Sequence, residues 1–126
     1  MDLQLTGKVA VITGSGRGIG YASALALAQE GARIVITDIN PESVEQAVAG
    51  LKQAGHDAIG AVLDVCDPDQ VQTMAELAAH AYGGIDILVN NAGFTRDKYL
   101  LKMPVEDWDS VVDTILKGAY YCTKAA

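Results

Sequence analysis

Residues 9–20, Val-Ala-Val-Ile-Thr-Gly-Ser-Gly-Arg-Gly-Ile-Gly, constrain the fold more than any other stretch of the chain. The apolar run Val9 to Ile12 reads as a buried strand, ended by Thr13 and Gly14. Ser15 and Arg17 then alternate with Gly16, Gly18 and Gly20 before Tyr21 to Glu30, a segment rich in helix formers. Glycine lets the backbone approach an anion closely and adopt positive φ without a Cβ clash. The helix that opens after such a turn offers unpaired N–H groups and the positive end of its dipole. The pattern carries weight because a strand precedes it and a helix follows. An acid completes it. Asp38 ends the next apolar run, Ile34 to Thr37, about 20 residues on, where a carboxylate can bind a ribose 2′-hydroxyl. Without that ligand, the same residues are only a turn between a strand and a helix, with Asp38 a solvated strand end.

A chain of 126 residues fits one domain, and 50% hydrophobic residues supply a core. Nine basic against 16 acidic residues give a net charge of −7, which argues against a nucleic-acid surface. No run approaches the ~20 apolar residues of a membrane span. Met1-Asp2-Leu3-Gln4 lacks the basic flank and apolar core of a secretion signal. Cys66 and Cys122 have no metal-like spacing and are expected to be reduced, buried thiols of a cytoplasmic protein. His56 and His80 lack ligand partners at helical or hairpin spacing, so no metal site is expected.

Apolar runs alternate with helix-like stretches along the chain. Strands are expected at 9–13, 33–37, 58–63 and 85–89. The first helix is closed by Gly31. Asn40-Pro41-Glu42 caps and starts the second, which stops at Gly55. Asp67-Pro68-Asp69-Gln70 repeats that start, with Gln70 placed to reach back to the cap, and the helix ends near Tyr82. A loop from Asn90 to about Met103 leads to Pro104 and one amphipathic helix that reaches Ala126. The order βαβαβαβα with apolar strands implies an α/β fold, a Rossmann-type doubly wound parallel sheet. The final helix has no glycine cap or proline stop, and strand four has an open edge. Both features suggest a fragment of a larger single domain.

Thr13-Gly14-x-x-x-Gly18-x-Gly20, Asp38, Asp64-Val65 and Asn90-Asn91-Ala92-Gly93, in that order, resemble the short-chain dehydrogenase/reductase family. The stretch Gly93-Phe94-Thr95-Arg96-Asp97, with Lys102-Met103 and Trp108-Asp109, is similar to its 3-oxoacyl-carrier-protein and acetoacetyl-CoA reductases. The resemblance implies a nicotinamide dinucleotide cofactor. Gly14, Ser15, Arg17, Gly18, Ile19 and Gly20 would form the phosphate turn. Asp38 and Ile39 would hold the adenosine ribose, and Asp64 and Val65 would contact adenine. Asn91, Ala92 and Gly93 would line the nicotinamide side while bracing strand four. Taken alone, Asp64 is equally a strand-ending acid, and the Asn-Asn-Ala-Gly run equally a turn.

Asp38 favours NAD, because it can accept from both ribose hydroxyls and repels a 2′-phosphate. Arg17 could pair with that phosphate, which keeps NADP as the lesser alternative. The family's catalytic Ser and Tyr-x-x-x-Lys lie downstream in longer chains, so no catalytic residue is assigned here. Tyr120-x-x-x-Lys124 is not that motif, since it falls on the helix after strand four. Ile115 occupies the family's catalytic Asn position, cannot hydrogen-bond through its side chain, and is expected to be a core residue of the last helix.

The reading that follows is the cofactor half of a short-chain oxidoreductase. Its substrate would be a 3-oxoacyl thioester or a similar small ketone or secondary alcohol, its assembly a dimer or tetramer, and this stretch alone would be inactive. The alternatives are a non-catalytic nucleotide-binding module, or a half-domain that needs a partner over strand four. Met74, Met103 and Trp108 read as core or interface packing. Arg96, Lys98 and Lys102 either flank a substrate mouth or are solvated loop charges.

Overall fold

In the computed structural model, which describes residues 1–126, Val9–Ile12 forms β1, with all four residues buried. Arg33–Asp38 (β2) and Ile87–Val89 (β4) pair with it in parallel, one on each side, and Ala58–Val62 (β3) pairs with β2. The strand order is β3-β2-β1-β4. The chain moves outward from β1 to β3, then crosses back over β1 to β4. This reversal creates a crevice beyond the carboxyl ends of β1 and β4.

Both faces of the sheet are covered, which is why its strands are apolar at consecutive positions. Ala10, Ile12, Ile34 and Ile36 point to one face, where they pack with Ala24 and Ala28 of α1 (Gly18–Gln29) and Val44, Ala47 and Leu51 of α2 (Pro41–Gln53). Val9, Val11 and Val35 point to the other, against Val71, Met74 and Ala78 of α3 (Pro68–Tyr82) and Cys122 of α5 (Gly118–Ala125). Each fully buried Val, Ile, Leu or Met contributes about 1.5–3 kcal/mol. The architecture is the doubly wound, Rossmann-type sheet expected from the alternation of elements.

The helix starts follow local chemistry. Asn40 accepts from the N–H groups of Glu42 and Ser43, and Asp67 from those of Asp69 and Gln70, with Pro41 and Pro68 in the first turn of each helix. Gln70 does not close a capping box on the Asp67 amide. Its side chain reaches the Asp67 carboxylate and, beyond it, the Asp64 amide. Helix α1 begins at Gly18, within the glycine run, three residues before the expected Tyr21. β4 begins at Ile87 instead of Ile85. Asp86 bonds Val9 through both its N–H and its carboxylate, so a side chain replaces the first rung of the ladder.

The expected single last helix is three segments. α4 (Val105–Val112) passes through a π-helical turn (Asp113–Lys117) into α5, and a 3₁₀ turn (Leu100–Lys102) precedes α4. The wider turn shifts the helix face and lays Gly118 on Val65, where an added Cβ would sit 2.6 Å from Val65 Cγ2. The same shift corrects the expectation for Ile115, which is 48% exposed and not a core residue. Met74 is in the core, whereas Trp108 is exposed. Cys122 is buried, and burial pushes its thiol pKa up. Cys66 is only half-buried, with Sγ 3.5 Å from Thr114 Oγ1.

Candidate cofactor site

The loops that follow β1, β2, β3 and β4 converge on a cleft of about 410 Å³ at the carboxyl edge of the sheet. Gly14, Arg17 and Gly18 come from the first loop and Asp38 and Ile39 from the second. Leu63, Asp64 and Val65 come from the third, and Asn91, Ala92, Gly93 and Phe94 from the fourth. Thr114 of the π-helical turn closes one side.

The glycine turn is shaped by backbone proximity. Gly14 has φ 64°, and a Cβ on it would stand 3.0 Å from Ala92 Cα. A Cβ on Gly20 would lie 2.5 Å from both Asn91 Nδ2 and the Gly14 carbonyl. Gly18 has φ 62° and open space around it, so conformation is what demands glycine there. Ser15 is fully buried. Its Oγ donates to the Ile12 carbonyl at 2.7 Å and accepts from Thr37 N–H at 3.1 Å. Ser15 therefore latches β1 to β2 instead of facing the cleft. Ile19 is exposed and Gly20 buried in the first turn of α1, and neither lines the cleft wall.

α1 differs from α2 and α3 at its start. No side chain caps it, and no acidic residue lies in its first turn. The other two helices have Asn40 and Asp67 as caps, with Glu42 and Asp69 beside them. The N-terminal amides and positive dipole end of α1 are thus left for an external anion. Arg17, at the cap position with extended backbone (φ −162°), adds a positive charge at the mouth.

Asp38 is held at the end of β2. Its Oδ2 accepts from Gly16 N–H at 3.1 Å and its Oδ1 from Asn40 N–H at 3.2 Å. A carboxylate oxygen can accept more than one hydrogen bond, so capacity remains for a ligand. Ile39 beside it is 66% exposed and offers an apolar surface. Asp64 Oδ1 accepts from Cys66 N–H at 2.9 Å, and its Oδ2 takes no bond from the protein.

Sequence reasoning left Thr13 out of the site. This residue is 2% exposed, and its Oγ1 accepts from Asn91 N–H at 3.0 Å and Ala92 N–H at 2.9 Å. Asn91 Nδ2 in turn donates to the carbonyls of Thr13 and Gly14 at 3.0 and 3.2 Å. Side chain and backbone thus cross-link the β1 and β4 loops across the crevice. Leu63, Phe94 and Thr114 were also missed. Leu63 and Phe94 directly adjoin motif residues, but nothing in the sequence brings Thr114 to the cleft. Arg96 and Lys98 both reach Asp107 of α4, at 3.9 and 2.6 Å, and the Arg96 guanidinium lies 5.2 Å from the Phe94 ring centroid. These cations fasten the loop to α4. Ile115 packs beside Gly93, where an added Cβ would sit 3.1 Å from Ile115 Cγ1. No helix is long and apolar enough to cross a membrane.

The glycine cradle, the uncapped helix and the fixed carboxylate have the chemistry that a dinucleotide requires. The family model for short chain dehydrogenases matches residues 8–126. The 3-oxoacyl-[acyl-carrier-protein] reductase FabG of Thermotoga maritima is 43% identical over 122 residues, which are 97% of this chain and 50% of that protein. The (2S)-[(R)-hydroxy(phenyl)methyl]succinyl-CoA dehydrogenase subunit BbsD of Thauera aromatica is 43% identical over 118 residues, 94% of this chain and 48% of its own length. Among solved structures, a short-chain type dehydrogenase/reductase from Mycobacterium marinum superposes with a TM-score of 0.93 at 35% identity, covering 97% of this chain and 49% of that one. A short chain dehydrogenase from Mycobacterium avium gives 0.92 at 36% identity, covering 97% and 45%. The chain spans about half the length of the relatives it matches. On this sequence, fold and crevice, the chain belongs to the short-chain dehydrogenase family.

Proposed function

We propose that this chain is the cofactor-binding half of an NAD-dependent short-chain oxidoreductase. The parent enzyme would act on a 3-oxoacyl thioester or a similar small ketone or secondary alcohol. The observation that carries the reading is Asp38, a carboxylate fixed by two backbone amides inside the cleft and flanked by the apolar Ile39. A ribose 2′-hydroxyl can donate to it, and a 2′-phosphate would be repelled. Arg17 is the residue that works in the opposite direction. The Gly14–Gly20 turn and the start of α1 would hold the pyrophosphate. Asp64 and Val65 would receive adenine, and Asn91 to Gly93 the nicotinamide ribose. When bound, the dinucleotide supplies or accepts the hydride. The proton donor would come from a Ser and a Tyr-x-x-x-Lys beyond Ala126, so residues 1–126 alone would bind without turnover. The substrate class rests on the likeness to the Thermotoga maritima reductase and the Thauera aromatica dehydrogenase.

The test is a pair of dissociation constants for NADH and NADPH, with a ketone-reduction assay on the 126-residue chain. Tighter NADH binding and no turnover are expected. Tighter NADPH binding would overturn the cofactor assignment, and turnover would overturn the half-enzyme assignment. Ile115 beside Gly93 favours a second reading, a nucleotide-binding module with no hydride chemistry. Reduction of acetoacetyl-CoA by the product of the complete reading frame would eliminate it. The enzyme reading also takes the assembly to be a dimer or tetramer, supported by exposed Val105, Trp108, Leu116 and Tyr120 along α4 to α5. A monomer by sedimentation would count against that part.

A further inference from the structure

We infer that Gln70, on the first turn of α3, is a positioning residue that sets how the cleft discriminates the base of its nucleotide. The inference rests on the dinucleotide reading above and deepens it.

The argument begins where the sheet ends. Leu63 N–H still pairs with the Asp38 carbonyl, so Asp64 has the first backbone amide beyond the ladder. That amide is taken by Gln70 Oε1 at 2.9 Å. Gln70 Nε2 donates to Asp67 Oδ2 at 3.2 Å. The orientation of the side-chain amide is forced, because a backbone N–H can only donate and a carboxylate can only accept. Asp67 itself is held as the cap of α3 by the N–H groups of Asp69 and Gln70. Gln70 thus connects the rigid start of a 15-residue helix to the backbone of Asp64.

The remaining atoms of Asp64 are also fixed. Its carbonyl accepts from Asp67 N–H at 3.0 Å, and its Oδ1 from Cys66 N–H at 2.9 Å. Oδ2 is left without a protein donor on a side chain that lines the cleft. A free acceptor held this way suits a donor on the ligand, such as the amino group of adenine. It disfavours a base that presents a carbonyl oxygen at the same place. Gln70 touches no ligand in this scheme. It acts by fixing the backbone from which the Asp64 carboxylate projects. Because Gln70 is exposed, its loss should leave the core intact.

The experiment compares NADH with reduced nicotinamide hypoxanthine dinucleotide, in which oxygen replaces the adenine amino group. Dissociation constants are measured by cofactor fluorescence on the wild-type chain, Gln70→Ala and Gln70→Met, with melting temperatures recorded for each. The wild type should bind NADH about tenfold more tightly than the hypoxanthine analogue. Both variants should lose NADH affinity by roughly three- to tenfold, leave the analogue unchanged, and so compress the ratio towards one. The melting temperature should stay within about 2 °C. A wild-type ratio retained in the variants, or equal weakening of both dinucleotides, would overturn the role of Gln70 while leaving the dinucleotide reading in place. Failure of the wild type to bind NADH at all would remove both.

Discussion

Gly20 and Asn91 interlock. A Cβ on the glycine would fall 2.5 Å from the asparagine Nδ2, the nitrogen that donates to the Thr13 and Gly14 carbonyls. The first turn of α1 therefore has room for the β4 loop only because position 20 has no side chain. Gly20→Ala should displace the Asn91 side chain and cost about 1–3 kcal/mol. Thermal melting should show a fall of several degrees, with NADH affinity falling as well. A variant that melts with the wild type would mean the loops separate without cost.

Thr13 provides a cleaner measure of that cross-link. Its Oγ1 is the acceptor for both Asn91 N–H and Ala92 N–H. Valine has nearly the same shape but no acceptor, so Thr13→Val strands two part-buried amides and should cost about 2–4 kcal/mol. Thr13→Ser keeps the oxygen and should recover most of the loss. The readout is the urea midpoint. A Val variant with the wild-type midpoint would show that the two hydrogen bonds to Thr13 Oγ1 add nothing to stability.

The fold was readable because each signal is local. A strand, a glycine run and a helix reveal themselves over about a dozen residues, and Asn40-Pro41 and Asp67-Pro68 mark helix starts by hydrogen bonds two or three positions away. The consecutive apolar residues of β1 and β2 likewise mark strands covered on both faces. What escaped depends on distant partners. The role of Thr13 is decided by residues 78 and 79 positions later, and the shortened β4 by a carboxylate that meets Val9 across 77 positions. Ser15 looked like a cofactor contact because motif membership does not reveal which way a hydroxyl points. Ile115 reads as core only on a straight helix, and the π-helical turn leaves that position exposed beside Gly93.

Asp38 governs two things at once, and a substitution can separate them. The carboxylate ties Gly16 to Asn40 through separate oxygens and, in the proposed function, accepts from the ribose. An amide in its place would keep one acceptor oxygen and lose the negative charge. Asp38→Asn should weaken NADH by roughly ten- to a hundredfold and narrow or reverse the preference over NADPH, because repulsion of the 2′-phosphate is gone. Titration of both dinucleotides into the wild type and the variant gives the two ratios. An unchanged NADH-to-NADPH ratio would show that Asp38 does not read the ribose.

At the opposite end of the sheet, Tyr82 makes stability depend on alkaline pH. Its hydroxyl donates to Asp57 Oδ1 at 2.7 Å, and Arg33 lies 3.8 Å from the other Asp57 oxygen and 5.6 Å from the Tyr82 ring centroid. Burial, then the hydrogen bond to Asp57 and its negative charge, raise the phenol pKa far above its ordinary value, and Arg33 offsets only part of the shift. A pKa raised in the folded state means the protonated phenol favours folding. That contribution is complete below about pH 10, the unfolded value, and is lost as pH climbs above it. Tyr82→Phe removes the hydroxyl, so at neutral pH it should cost up to about 1 kcal/mol for the lost hydrogen bond. Above about pH 10 the wild type should lose stability faster than Tyr82→Phe, and their urea midpoints should converge. Parallel curves through the alkaline range would show that the Tyr82 proton is not linked to folding.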